Sequence, residues 1–329
     1  MDKKGSPQLL GMRNGLSLGV VLLATVVALF EPGAATSQAS SRPTGATTPP
    51  PRLLPAMAYD SVRQEIVMFG GLDANFFDLG DTWIFDGTSW TELQPATAPS
   101  PRSGAAMIFD RARSEIVLFG GSTGVDETWT WDGDTWTKEN PTIRPPSRTR
   151  PGFAYDGARR QVVMFGGCCF LGDTWLWDGT NWTAAEPPRS PSPRYSPGMT
   201  YDAARREVVL FGGSEGGGET WVWDGTNWTQ LFPPSSPSDR SAFGMVYENA
   251  LRRVVVFSGC CTPDDTWAWN GKTWTQLITN GSPPGRHSPG MAYDVARRRS
   301  VLFGGIDIDT LTVFGDTWLL RRSTWRQIL

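Results

Sequence analysis

Phe-Gly-Gly recurs in this chain at Phe69, Phe119, Phe165, Phe211 and Phe303, with Phe257-Ser258-Gly259 as a variant, at spacings of 50, 46, 46, 46 and 46 residues. A fixed period of that length means one supersecondary unit stacked against copies of itself. Every copy continues in register. An acidic residue, Thr and Trp follow, the Trp standing at Trp83, Trp129, Trp175, Trp221, Trp267 and Trp318. A second Trp comes seven residues later, from Trp90 to Trp325. Four units add a middle Trp, at Trp131, Trp177, Trp223 and Trp269, where Phe85 and Leu320 stand in the other two. All sixteen tryptophans of the chain therefore belong to the repeat.

Each unit reads as four strands. The first follows a repeated Arg (Arg52, Arg102, Arg148, Arg194, Arg240, Arg286) and carries Ala or Gly four residues on, as a crowded inner edge requires. The second is an unbroken apolar run such as Ile116-Val117-Leu118-Phe119, the signature of burial on both faces. Gly-Gly ends it, where the backbone needs positive φ or a close approach. The third and fourth strands form a hairpin around Asp-Gly, for example Thr174 to Thr183. Four antiparallel strands repeated six times predict an all-β, six-bladed propeller over 52–329. Its chain starts at a first strand and stops after a fourth, so closure is expected from packing of the sixth blade on the first. A self-closed ring is expected to be a monomer.

The apolar run, the Gly-Gly, the aromatic pair and the Arg resemble the kelch repeat. The pattern "FGG…DTWxWDGxxWT…PRxxxxMAYD" is similar to its Trp-rich bacterial variety, from Arg52 to Leu329. That resemblance implies a propeller whose ligands bind over one end of the central channel. It does not imply which ligand.

The N-terminus differs. Lys3, Lys4 and Arg13 precede the uncharged run 15–30, and small residues follow. Residues 1–35 read as a secretory signal peptide, or as an N-terminal membrane anchor if uncleaved. The apolar run is shorter than the ~20 residues a spanning helix needs. Residues 36–51 are a Pro/Ala/Ser/Thr linker that cannot bury enough apolar surface to fold alone. The expected location is secreted, periplasmic or extracellular, with 15–30 as a possible membrane tether.

Charge and composition exclude several chemistries. A net charge of −3 is at odds with nucleic acid as a partner. One His removes every metal site built on two imidazoles. It also leaves incomplete the copper site of galactose-oxidase-like enzymes, which share kelch-like repeats. No cofactor or metal is expected. Asp307 and Asp309 are too few ligands for a Ca²⁺ loop.

Function is expected where the repeat is broken. Two loops after Gly-Gly are long, 72–80 and 306–315, bringing Phe76, Phe77, Asp307, Asp309 and Phe314. Their blades are neighbours once the ring closes, so they either bind a ligand or seal the seam. Arg150, Tyr195 and His287 break the pattern near the inner-strand mouths. The six repeated Arg either ring a carboxylate or phosphate ligand or pair with acids and carbonyls of the adjoining blade, the architectural reading being preferred. Cys168-Cys169 and Cys260-Cys261 occupy the same loop of two units, and an even count behind a leader suggests disulfides. Two vicinal bridges are preferred to a bridge between the loops. The expected function is a non-catalytic scaffold for a protein or polysaccharide ligand. The alternative is a sialidase-like glycoside hydrolase, which needs an Arg trio, a Tyr nucleophile and a carboxylate base. Tyr195 and the Arg ring imitate part of that set, but the Asp-Gly to Trp spacing does not match the sialidase Asp-box.

Overall fold

A computed structural model describes residues 48–122, 124, 126–260 and 264–329. The expected leader, most of the linker and Cys261 lie outside the described residues. The rest forms six four-stranded antiparallel sheets, each in simple sequence order. Blade 1 runs from Ala56–Asp60 through Glu65–Leu72 and Asp78–Phe85 to Trp90–Leu93. Blade 6 runs from Gly290–Asp294 through Arg299–Phe303 and Thr317–Arg321 to Thr324–Gln327. A two-stranded hairpin, Ile306–Asp307 with Thr312–Val313, is inserted in blade 6. The first strands touch in ring order, that of blade 6 against that of blade 1. The fold is a six-bladed β-propeller, closed without a shared strand.

The tryptophans hold the blades to each other. In every blade the last Trp donates its indole N–H to the hairpin Thr of the blade before. Trp136 reaches Thr82 Oγ1 at 3.0 Å, Trp182 reaches Thr128 at 2.8 Å, and Trp90 closes the ring on Thr317 at 2.9 Å. The same ring packs on the Phe of the preceding Phe-Gly-Gly, with centroids 5.4 Å apart for Phe69 and Trp136 and 5.3 Å for Phe303 and Trp90. Such pairs contribute about 0.5–1.5 kcal/mol beyond their area. The first Trp of each hairpin donates instead to the acid two residues before it, as Trp175 does to Asp173. The middle tryptophans Trp131, Trp177, Trp223 and Trp269 bury an N–H with no partner. Blade 1 has Phe85 at that place, in the same contact with its Trp90 at 5.0 Å. Trp177→Phe is therefore expected to change stability by less than about 1 kcal/mol. Trp182→Phe should lose on the order of 1–2 kcal/mol through the Thr128 bond. Denaturant midpoints of the two variants check this contrast.

Small residues at the inner edge make room for the next blade. A side chain at Gly152 would stand 2.6 Å from Met199 Sδ, and one at Gly244 would stand 2.7 Å from Met291 Sδ. The hairpin tips are made the same way. Gly179 (φ +100°) lies under the Arg113 side chain of blade 2, which Asp110 holds at 2.7 Å.

The repeated Arg are architecture. Arg148 is buried and donates to Pro146 O, Gly166 O and both carboxylate oxygens of Asp173. Arg52, Arg240 and Arg286 likewise reach both carboxylate oxygens of Asp81, Asp265 and Asp316, whereas Arg102 and Arg194 reach one oxygen of Glu127 and Glu219 and add the hydroxyl of Ser100 or Ser192. The acid belongs to the Arg's own blade, not to the adjoining one as expected. The adjoining blade is reached through the Arg backbone carbonyl, which accepts the N–H of the preceding unit's second glycine, Gly305 for Arg52 at 2.8 Å. Burial alone would raise the Asp173 carboxyl, but hydrogen bonds from Arg148 and Trp175 hold it below its ordinary value. The last linker residues take part in this frame: Pro50 O accepts from Arg52 Nε at 3.2 Å.

Candidate functional site

Two residues beyond each repeated Arg the chain enters the left-handed region. Leu54, Gly104, Arg150, Ser196, Ala242 and Ser288 all lie at φ 50–62°. That turn aims each backbone N–H along the circumference of the channel. Gly104 donates to Leu54 O, Arg150 to Gly104 O, Ser196 to Arg150 O, Ala242 to Ser196 O, Ser288 to Ala242 O, and Leu54 to Ser288 O, at 2.7–3.3 Å. Six hydrogen bonds thus form a closed annulus around one mouth of the channel. Five of the six residues are not glycine, and each such backbone costs on the order of 1 kcal/mol. The annulus and the residue that follows each of its members, just ahead of the first strands, line a cavity of about 140 Å³. A larger cavity of about 190 Å³ lies within the channel, lined by the first strands and reaching their opposite ends at Arg111 and Asn249.

The next tier outward is Leu53, Ser103, Thr149, Tyr195, Ser241 and His287. Each backbone carbonyl there accepts the N–H of the residue after Gly-Gly in its own blade. The loops after Gly-Gly therefore rise around this same mouth. Arg150, Tyr195 and His287, selected from the sequence as breaks in the pattern, meet here. The Arg150 guanidinium carbon lies 4.8 Å from the Tyr195 ring centroid, a cation–π contact. Burial pushes the Tyr195 hydroxyl up, and the Arg150 charge partly offsets it. Burial pushes His287 down, against the pull of Asp309 and Asp307, so its imidazole is neutral at pH 7.

Three buried polar atoms at this mouth have no hydrogen-bond partner: Ser196 Oγ, Ser288 Oγ and His287 Nδ1. Their residues are 7%, 4% and 6% exposed. The half-buried Arg150 guanidinium faces the Tyr195 phenol and the Cys168 thiol, neither of them a carboxylate. Unpaired buried polar groups of this kind call for a ligand or ordered water. The two serines carry no signal in the sequence, because Ser recurs in the linkers between units.

The other sequence candidates are more dispersed. Phe76 (40% exposed) and Phe77 (69%) form the tip of the blade 1 hairpin, with Asp73 capping the turn. This loop leans towards blade 2, through Asp78 and Ser122. Phe314 seals the seam, its carbonyl accepting the Arg52 N–H and its ring lying 4.0 Å under the Arg286 guanidinium. Asp307 is a turn cap, accepting from Asp309 N and Thr310, whose hydroxyl lowers its carboxyl. Exposed tips that the sequence reading did not single out, Phe170 and Leu311, belong to the loops of blades 3 and 6. The expected vicinal bridge is not formed at Cys168-Cys169. The sulfurs stand 3.2 Å apart, Cys169 donating to Cys168, whereas a disulfide needs about 2.0 Å. The Cys168 sulfur instead accepts the Thr149 N–H at 3.3 Å, beside Arg150. The second expected bridge involves Cys261, outside the described residues.

Fold and mouth together define a β-propeller whose channel mouth is framed by a backbone annulus and lined asymmetrically by polar side chains. Among solved structures the chain is similar to that titled "Structure of YjhT", with a TM-score of 0.62 over 86% of this chain and 98% of that one. Identity is 14%, so the likeness extends to the fold alone. No protein-family model and no curated protein matches the sequence.

Proposed function

We propose that this chain is a secreted or cell-envelope binding scaffold without catalytic chemistry, whose ligand, a protein or polysaccharide, docks over the channel mouth. The observation that carries the reading is the set of unpartnered buried polar atoms, Ser196 Oγ, Ser288 Oγ and His287 Nδ1, beside the Arg150 cation at that mouth. Exposed Phe77, Phe170 and Leu311 on the surrounding loops supply apolar contact. The apolar segment 15–30 supports an extracytoplasmic site of action. A sialidase-like reading needs a carboxylate beside the tyrosine. The charges acting on Tyr195 are Arg150 and Cys168, and its raised hydroxyl is a poor nucleophile.

A glycan array run together with a sialoside substrate panel tests this. Expected is capture without turnover, weakened at least about tenfold by Phe77→Ala with Phe170→Ala, which truncate exposed rings. Turnover that disappears in Tyr195→Phe would replace the scaffold with a hydrolase.

A further inference from the structure

We propose that the mouth cavity is a subsite for a single carboxylate group, paired with the Arg150 guanidinium and held by the Ser196 and Ser288 hydroxyls. This rests on the mouth being the ligand-binding face and adds the chemistry of what enters it.

A guanidinium cannot shed its proton, so when it is drawn partly out of water, as the half-buried Arg150 is, it favours an anion or hydrogen-bond acceptors. Each of the six repeated Arg has one, in a bidentate or charge-assisted pair at 2.5–2.7 Å. Arg150 stands two residues from Arg148, and the groups acting on it are a phenol and a thiol. Its side chain extends over Gly104, where an added methyl would stand 3.0 Å from Arg150 Cγ. It thus reaches towards blade 2 from the rim of the cavity that it lines.

The annulus supplies no donors to a ligand, because its six N–H groups are spent on each other. What remains on the cavity wall is two buried hydroxyls, Ser288, which is unpartnered, and Ser196, which has only the neighbouring Tyr195 hydroxyl within reach. One cation and two O–H donors suit a planar anion of charge −1. A doubly charged phosphate suits it less. Asp307 and Asp309 act on His287 at the same mouth, and their charges would repel the second negative charge. A volume of about 140 Å³ admits a carboxylate and a short stem but not a sugar ring with its substituents. The body of the ligand then lies outside, among the loop tips. A uronate of a polysaccharide and the C-terminus of a peptide share this chemistry.

The chain has one His, so its imidazole gives one resonance; that residue adjoins Ser288 of the cavity wall and feels the Arg150 charge. The experiment titrates the untagged full chain, labelled at His, with acetate, glucuronate and N-acetylglycine, and with acetamide and methyl phosphate as controls. Saturable shifts of the His287 signal are expected with the three carboxylates and not with the controls. Glucuronate against N-acetylglycine ranks the sugar and peptide sources. Arg150→Gln should weaken acetate about tenfold or more, and Ser288→Ala severalfold. Arg111→Gln, at the opposite end of the channel, should leave it unchanged. No saturable shift, an equal response to acetamide, or unaltered binding in Arg150→Gln overturns the subsite. Capture on the array that survives such a result leaves the scaffold standing without it. Acetate binding in a protein that captures nothing does the reverse.

Discussion

Arg148→Met is expected to cost about 3–5 kcal/mol of folding stability. The side chain is fully buried and gives four hydrogen bonds, two of them to Asp173. Methionine fills part of the volume and satisfies none of those acceptors. Gly166 O and Pro146 O lose a donor, and Asp173, 36% exposed, keeps its charge with the Trp175 N–H and solvent against it. In a domain of this size the loss is worth roughly 10 °C in melting temperature. Adding Asp173→Asn should recover on the order of 1 kcal/mol, because the stranded charge goes while the Trp175 bond has an acceptor. Thermal and urea unfolding of the single and double variants measure both steps. A single variant within 1 kcal/mol of the parent would mean that these buried pairs are not what fixes the strand mouths.

The second large effect is expected at the seam. Gly304→Ala should cost on the order of 3–5 kcal/mol. Its φ is +68°, and an added Cβ would stand inside van der Waals contact with the Arg52 carbonyl. That carbonyl accepts the Gly305 N–H, one of the bonds that join blade 6 to blade 1. The collision is with backbone, so no side-chain rotation relieves it. Gly124→Ala is the control. Its φ is +67°, and nothing lies within 4 Å of the added carbon. It should pay only the conformational cost, about 1 kcal/mol. Hydrogen exchange locates the damage: amides of Arg52, Leu54 and Trp90 should lose protection in Gly304→Ala and keep it in Gly124→Ala. Equal losses in the two variants would place ring closure elsewhere.

The blades were legible because their signals are side-chain signals with a strict period. Phe-Gly-Gly, the paired Trp and Asp-Gly each impose one local geometry, and six copies in register leave one architecture. The annulus was not legible, because it is made by backbone. Its residues are Leu54, Gly104, Arg150, Ser196, Ala242 and Ser288, and only Gly104 advertises a left-handed turn. The sixteen Trp read as one class, yet their N–H partners divide them into three roles that no spacing distinguishes. The Arg were read correctly as frame, but with the acid in the wrong blade, since the strand that carries the acid folds back to its own Arg. Spacing leaves Phe314 open between ligand and seam, and the Arg286 guanidinium over its ring places it at the seam. Arg150, Tyr195 and His287 were legible as departures from the repeat. Ser196 and Ser288 were not, because what singles them out is burial without a partner.

Stability rests on what the six units share, and binding on what they do not. Arg148 and Arg150 put the two assignments two residues apart. The most direct measurement is thermal unfolding and acetate binding, recorded side by side for Arg148→Met and Arg150→Gln. Arg148→Met should melt roughly 10 °C lower and, below its melting point, bind as the parent does. Arg150→Gln should melt within a few degrees of the parent and lose binding about tenfold or more. Arg150→Gln melting as low as Arg148→Met, or binding acetate as the parent does, would contradict the division.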